Sequence, residues 1–404
     1  MSRVLLTWEL GLNLTHLSRL VPLAQQLRQD GHAVLVAVRE IPAAAAVLGS
    51  AGIAFVQAPH LLKGLPPPGQ ISGYADILLS QGWDDPEVLW GLTQSWLTLV
   101  RLFEPDVVVL DHSPTALLAT AIGEIPAILI GNGFELPPAS DPLPAFPDCA
   151  GGSAGRAALS ERQAMQHASA VARRFGRAPI PAFRVLLDRA ATLFVTLPDL
   201  DPYANRAGAR YVGPLMGFPS TRPVEWPEGR QRVFAFLRRD TPHIQSILAS
   251  LRDSDASVLC LASGVAGPEL KPHARSGIRF VSHWMDLKPV LAEADLCISC
   301  GAEEVVVMTA MLGGVPQLIS PGHVEAELMA RRIECLGAGL ALRGPQTAGQ
   351  VTQSIGRLIE EPIFRNQARA FAKRYSEMAS DRSALEVAAL VLDESSSSQQ
   401  AGSS

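Results

Sequence analysis

Lysine is nearly missing from this chain: of 34 basic residues, only Lys63, Lys271, Lys288 and Lys373 carry an ammonium group. No basic run exceeds two residues, and 39 acidic residues bring the formal net charge to −5. A surface of that kind offers no track to a polyanion, so nucleic acid is excluded as an expected partner. Cysteine is scarce and odd in number, five in all, which excludes a disulfide framework and fits a reducing cytoplasm. Apolar segments of membrane length are lacking too. The two uncharged stretches that come nearest, 41–59 and 305–322, are broken by Pro42, Gly49 and Gly52 and by Gly313, Gly314, Pro316 and Pro321. They read as helix, turn and strand of a soluble core, and no transmembrane segment is expected. The N-terminus, MSRVLLTWELGLNLTH, has neither the apolar stretch nor the small-residue cleavage pattern of a signal peptide, so the expected location is cytoplasmic.

What is present has the composition of a globular protein, 404 residues with 48% hydrophobic and 18% charged. At about 150 residues per domain, two domains are the starting expectation. Strand-like apolar runs alternate with amphipathic stretches, which argues for βα units and parallel sheets. In the first half, strands are expected at Arg3–Trp8, Ala33–Val38, Ile53–Gln57, Val107–Leu110, Ala127–Ile130, Leu193–Thr196 and Tyr211–Gly213. Helices are expected over Leu17–Asp30, Ala43–Leu48, Pro114–Ile122 and Gly155–Phe175. A looser segment with Pro66, Pro67, Pro68, Trp90 and Trp96 precedes the fourth strand, and Glu135–Gly152 reads as a long loop.

Pro and Gly concentrate again in GFPSTRPVEWPEG, Gly217–Gly229, the composition of a linker. A second series follows with strands at Arg232–Leu237, Ser257–Ala262, Ile278–Val281, Asp295–Ser299 and Pro316–Ser320, then helices to about Leu392. The expected architecture is therefore α/β with two Rossmann-like domains, an N-terminal one over 1–216 and a C-terminal one over 232–392, joined by a linker over 217–231. The tail 393–404, ESSSSQQAGSS after Asp393, has nothing to bury and is expected to be disordered.

The turn ELGLNLTH, Glu9–His16, follows strand one at its carboxyl end, where doubly wound sheets place ligands. His16 can accept a proton near neutral pH if a carboxylate orients it. Asp111, which ends VVVLD on the same edge, is the candidate partner. Spacing alone leaves an alternative open, with His16 as a helix-start residue and Asp111 as an N-cap near Pro114.

The turn ending in Thr15-His16, the strand end VVVLD, the segment GNGFELPP and the run from Trp284 through Gly339 together resemble the nucleotide-sugar-dependent glycosyltransferases of the GT-B fold. Bacterial relatives of the UDP-glycosyltransferases are the nearest family, over residues 1 to about 392. The resemblance implies two Rossmann-like domains facing each other across a cleft, with the acceptor in the first and the donor in the second. It implies that His16 deprotonates the acceptor hydroxyl with Asp111 in support, inverting the sugar carbon without a metal. No cofactor is implied beyond a UDP- or dTDP-sugar co-substrate, and the partners are that donor and a small-molecule acceptor.

The donor half matches unevenly. Trp284 stands 16 residues before Cys300, like the base-stacking tryptophan of the family's W-x-P element, although Asp286 replaces the proline. A flat indole suits a uracil or thymine face; a core or hinge aromatic is the alternative. Where the family carries H-G-G-x-G-T, this chain has Cys300, Gly301, Ala302, Glu303, Glu304 and Val305. A strand-to-helix turn there still presents backbone N–H groups to a pyrophosphate, while Glu303 and Glu304 are expected to add negative charge beside it. Glu325 survives at the sugar-contacting pair, but Ala326 takes the place of its amide neighbour. Gly264 and Arg238, at other strand ends of this half, could approach donor phosphate, or belong to plain turns. Cys297 and Cys300 point to opposite faces of a strand and make no metal site, and Asp199-Leu-Asp201 between two prolines reads as a turn. Two functions follow: a working transferase, or a degenerate relative that keeps the fold as a binding or partner protein.

Overall fold

The computed structural model describes all residues except 12–14, 63, 65–70, 148–152, 205, 218–223, 302, 379 and 402–404, together with the side chains of 380, 381 and 395–401. The chain divides into two compact units, 1–217 with 378–404, and 218–377.

The first unit is built on six strands: β1 (Arg3–Trp8), β2 (Ala33–Val38), β3 (Ala54–Gln57), β4 (Val107–Asp111), β5 (Ala127–Gly131) and β6 (Ala191–Phe194). All pair in parallel in the order β3-β2-β1-β4-β5-β6. Runs such as VVVLD and AILIG are buried throughout, as parallel strands covered on both faces require. The second unit repeats the plan with β7 (Arg232–Arg238), β8 (Ser257–Ser263), β9 (Ile278–Val281), β10 (Leu296–Ser299), β11 (Gln317–Ile319) and β12 (Gly339–Ala341). Its parallel order is β12-β11-β10-β7-β8-β9. Counted within each unit, both sheets run 3-2-1-4-5-6, so the chain reverses its direction of travel between strands one and four. There the carboxyl ends open into a crevice. Among the described residues, no helix is long and apolar enough to cross a membrane.

The expected strands and helices are found within a few residues of their places, with three differences. The segment expected to be loose contains an 18-residue helix, Pro86–Phe103. Asp85 caps it by accepting from the N–H groups of Glu87 (2.8 Å) and Val88 (3.3 Å), ahead of Pro86 at the first helical position. Tyr211 forms only a single bridge to Phe194, and β12 is a strand that pattern reading did not separate from its neighbours. The prolines 66–68 lie outside the described residues.

The helix Thr15–Gln29 carries Pro22 in its interior. Proline has no N–H to offer the carbonyl one turn back. That carbonyl, on Ser18, accepts instead from the N–H of Gly217 at 2.9 Å. Gly217 lies against the Pro22 ring so closely that a Cβ would sit 3.3 Å from it. A helix defect thus becomes the anchor for the last residue before the second unit.

The C-terminus corrects the expected division. Residues 378–392, read as part of the second domain, belong to the first unit. The helix Ser380–Ala401 continues into the stretch expected to be disordered. Ala384, Val387, Ala388 and Val391 join the core formed by β1, β2 and the helix Thr15–Gln29, including Leu20, Leu23 and Leu27. Ser383 donates to the Val212 carbonyl at 2.8 Å. Burying one such valine stabilises by about 2 kcal/mol. The double change Val387→Ala and Val391→Ala is therefore expected to lower the melting temperature of the first unit by several degrees in scanning calorimetry, with the second unit's transition unmoved.

Candidate functional site

In the first unit, the β1–β4 register sets Trp8 opposite Asp111, so both strands end level at the crevice. His16 enters as the second residue of the helix Thr15–Gln29, its Nδ1 3.1 Å from Asp111 Oδ2. The contact is close without being a well-aligned hydrogen bond. The indole of Trp8 stacks on the imidazole, with ring centroids 5.3 Å apart and planes 21° from parallel. Gly11, at φ +81°, is required: a Cβ there would stand 2.4 Å from His16 Nε2.

Sequence reasoning found these two residues and missed two others. Arg19, three residues after His16 on the same helix face, is buried and bonds through one guanidinium nitrogen to Asp111 Oδ1 (2.9 Å) and Glu135 Oε2 (2.6 Å). Glu135 Oε1 lies 3.9 Å from His16 Nδ1. A buried arginine near a helix start cannot be told from a solvated one by spacing. Glu135 lay inside a quoted motif but carried no positional signal.

The burial of His16 pushes its pKa down, but Asp111 and then Glu135 outweigh that and hold the imidazole above its ordinary value. Burial works to raise Asp111, and the charges of His16 and Arg19 overcome it, keeping the carboxylate ionised. His112, next along the chain in the left-handed region (φ 45°), is pushed down to about 3 by burial and then by His16, so it is a neutral ring. Its carbonyl accepts from the Leu10 N–H at 2.9 Å and ties the ends of β1 and β4 together. Ligand atoms of His16, His112 and Glu135 lie within 4.8 Å of one another. Arg19 already holds one oxygen of Glu135, and its positive charge opposes a cation in the same place.

In the second unit, the equivalent crevice lies between β7 and β10. Arg238 ends β7 and meets Asp240 with two nitrogens, at 2.9 and 2.8 Å, and Glu303 with a third at 3.2 Å. Cys300 follows β10 and donates its thiol to Glu303 Oε2 at 2.9 Å. Glu303 is the N-cap residue of the helix Glu304–Leu312, whose first turn buries Glu304 and Val305. Both carboxylates expected beside a phosphate, Glu303 and Glu304, are buried at this helix start. Glu303 is committed to Cys300 and Arg238, and burial pushes its pKa up. Gly301 is a true glycine position, at φ +76° with Ile319 2.7 Å from any Cβ. Ala302 lies outside the described residues.

Trp284 stacks on Phe236 of β7, centroids 5.3 Å apart, half-buried at the same edge. Gly264 follows β8 at φ +69° with open space beside it, and Glu325 stands in the first turn of the helix Val324–Cys335. The structure thus brings Arg238, Cys300 and Glu303 together and sets Trp284 on the strand that carries Arg238. Asp201, of the segment read as a turn, is buried and accepts from the Tyr211 hydroxyl (2.7 Å) and the Tyr203 N–H (2.9 Å) while pairing with Arg206. Burial pushes the Cys260 thiol up to about 12 and Cys297 further, which makes both inert.

Residues 245–393 match the family described as erythromycin biosynthesis protein CIII-like, C-terminal domain. A Mycobacterium tuberculosis protein named PGL/p-HBAD biosynthesis glycosyltransferase is 25% identical over 203 residues, 48% of this chain and 46% of that protein. The match thus spans about half the length of the curated relative. Solved structures match over nearly the whole chain. Spinosyn rhamnosyltransferase SpnG complexed with thymidine diphosphate has a TM-score of 0.69 at 19% identity, over 96% of this chain and 99% of that one. The glycosyltransferase VinC with dTDP has a TM-score of 0.69 at 20% identity, over 97% and 99%. The fold is that of the GT-B glycosyltransferases.

Glu9 follows β1 directly and is almost wholly buried, its carboxylate accepting from the N–H groups of Thr115 (2.9 Å) and Ala116 (3.2 Å) at the start of the helix Pro114–Gly123. Burial outweighs those bonds and raises it to about 7. A carboxyl raised in the folded state contributes stability that is fully present below its unfolded value of 4.5 and lost as the pH rises through about 7. Glu9→Gln is expected to flatten this fall, by up to roughly 3 kcal/mol, between urea unfolding curves taken at pH 4.5 and pH 8.

Proposed function

We propose that the chain transfers a sugar from a nucleotide-sugar donor, a dTDP- or UDP-sugar, to a hydroxyl of a small acceptor, with inversion and without a metal. The observation that carries the reading is the imidazole of His16, held by Asp111 at the switch point of the first sheet. In this reading the carboxylates hold the Nδ1–H tautomer, and Nε2 takes the proton from the acceptor hydroxyl. The freed oxygen bonds to the anomeric carbon as the bond from that carbon to the diphosphate breaks. The donor belongs to the edge of the second sheet, with its base on Trp284 and its diphosphate near Arg238 and the N-terminus of the helix Glu304–Leu312. Thymidine diphosphate in SpnG and dTDP in VinC support a thymidine donor ahead of a uridine one.

His16→Ala is expected to lower transfer by about 10²–10⁴-fold while leaving nucleotide affinity nearly unchanged. Asp111→Asn keeps the shape without the charge and falls between the variant and the wild type. Activity of His16→Ala within about threefold of wild type removes the histidine from the mechanism, since general-base loss costs far more. Transfer is expected to survive chelation by EDTA.

One observation favours the alternative of a binding protein without transfer: the Glu303 carboxylate, tied to Cys300 and Arg238, stands at the helix start where a diphosphate would dock. Glu303→Gln removes a negative charge and frees Arg238 from one of its two carboxylates. In calorimetric titrations its dTDP affinity is expected to exceed that of the wild type, with a gain that shrinks as salt screens beyond about 8 Å at 0.15 M. If folded wild type and variant both bind neither dTDP- nor UDP-sugars, the partner-protein reading replaces the transferase.

A further inference from the structure

A general base needs one carboxylate behind it, and His16 has two. The second is placed by a dedicated piece of backbone. Gly131 ends β5 without a side chain, and a Cβ there would lie 2.5 Å from Glu135 Oε2. The N–H of Asn132 donates to that same oxygen at 2.8 Å. The Asn132 side chain accepts from the N–H groups of Phe134 (3.0 Å) and Glu135 (3.2 Å), which locks the turn. Arg19 then takes one oxygen from each carboxylate and leaves Asp111 Oδ2 and Glu135 Oε1 turned to His16 Nδ1.

We propose that Glu135 is a second positioning residue for His16, and that Arg19 is the fixed counter-ion that makes this cluster neutral only once His16 has taken up a proton. Two carboxylates and one guanidinium sum to −1 beside a neutral imidazole and to zero beside an imidazolium. All four side chains are at most 5% exposed, so an unbalanced charge there is expensive. His112 also faces His16, with ring centroids 5.9 Å apart, but burial keeps it neutral and outside the sum. During transfer, the proton that leaves the acceptor oxygen for Nε2 completes the balance at Nδ1–H. The chemistry rests on the transferase reading; the charge arrangement does not.

The test follows the His16 imidazole by NMR in full-length protein labelled with ¹⁵N-histidine, the signal assigned by its loss in His16→Gln. Glu135→Gln is expected to lower the imidazole pKa by about one unit, the low end for an opposite charge at this range. Gly131→Ala is expected to move it the same way, by displacing the carboxylate without altering its charge, and it serves if the glutamine variant does not fold. Arg19→Met is expected to raise it and Arg19→Lys to restore it. The acid limb of kcat/KM shifts to lower pH in Glu135→Gln, and its plateau falls. A His16 pKa unchanged in folded Glu135→Gln or Gly131→Ala overturns the proposal even if transfer is intact. A shifted pKa in a protein that transfers nothing overturns the transferase reading alone.

Discussion

The two bonds from one nitrogen of Arg19 hold the first unit's crevice together. Three ionised groups buried side by side are tolerated only if their charges and hydrogen-bonding capacity are satisfied on the spot. Arg19 does this for Asp111 at 2.9 Å and Glu135 at 2.6 Å. It thereby links the first helix to the end of β4 and to the turn after β5. Everything else at this edge is fitted around it. Gly131 makes room for one carboxylate, Gly11 makes room for the imidazole, and Trp8 stacks on the His16 ring.

The second unit solves a related problem with the signs rearranged. Here the cation, Arg238, comes from the end of strand one of its sheet, and the carboxylate, Glu303, from the start of the helix after strand four. In both units the charged groups cross the same switch point, because that is where parallel strands diverge and leave room for side chains. The difference lies in what the buried charges serve. In the first unit they orient an imidazole. In the second they occupy a helix N-terminus, where the macrodipole favours a negative group, whether a side chain or a phosphate.

The alternation of apolar runs with amphipathic stretches made the strand positions legible, because a buried parallel strand has little choice of composition. His16 and Asp111 were legible for a related reason: one closes the turn after the first strand and the other ends the fourth. Arg19 and Glu135 were not. An arginine near a helix start is mostly exposed, and nothing in its neighbours announces two carboxylates from elsewhere in the chain. The helix Pro86–Phe103 was missed although Asp85-Pro86 is a start signal, because the prolines upstream dominated the reading.

The sequence by itself determined the two α/β halves, the strand ends that carry a histidine and an aspartate, and the departure from H-G-G-x-G-T at Cys300. Tertiary structure alone decided that the last helix returns to the first unit, where Val387 and Val391 find an apolar face the sequence could not assign to them. It alone decided that Glu303 reaches Arg238, and that Arg19 sits between two acids. The contacts of Glu303 with Arg238 and of Arg19 with its two acids join residues 65 to 116 positions apart, and a local pattern records what each residue prefers, not which distant partner burial will force upon it.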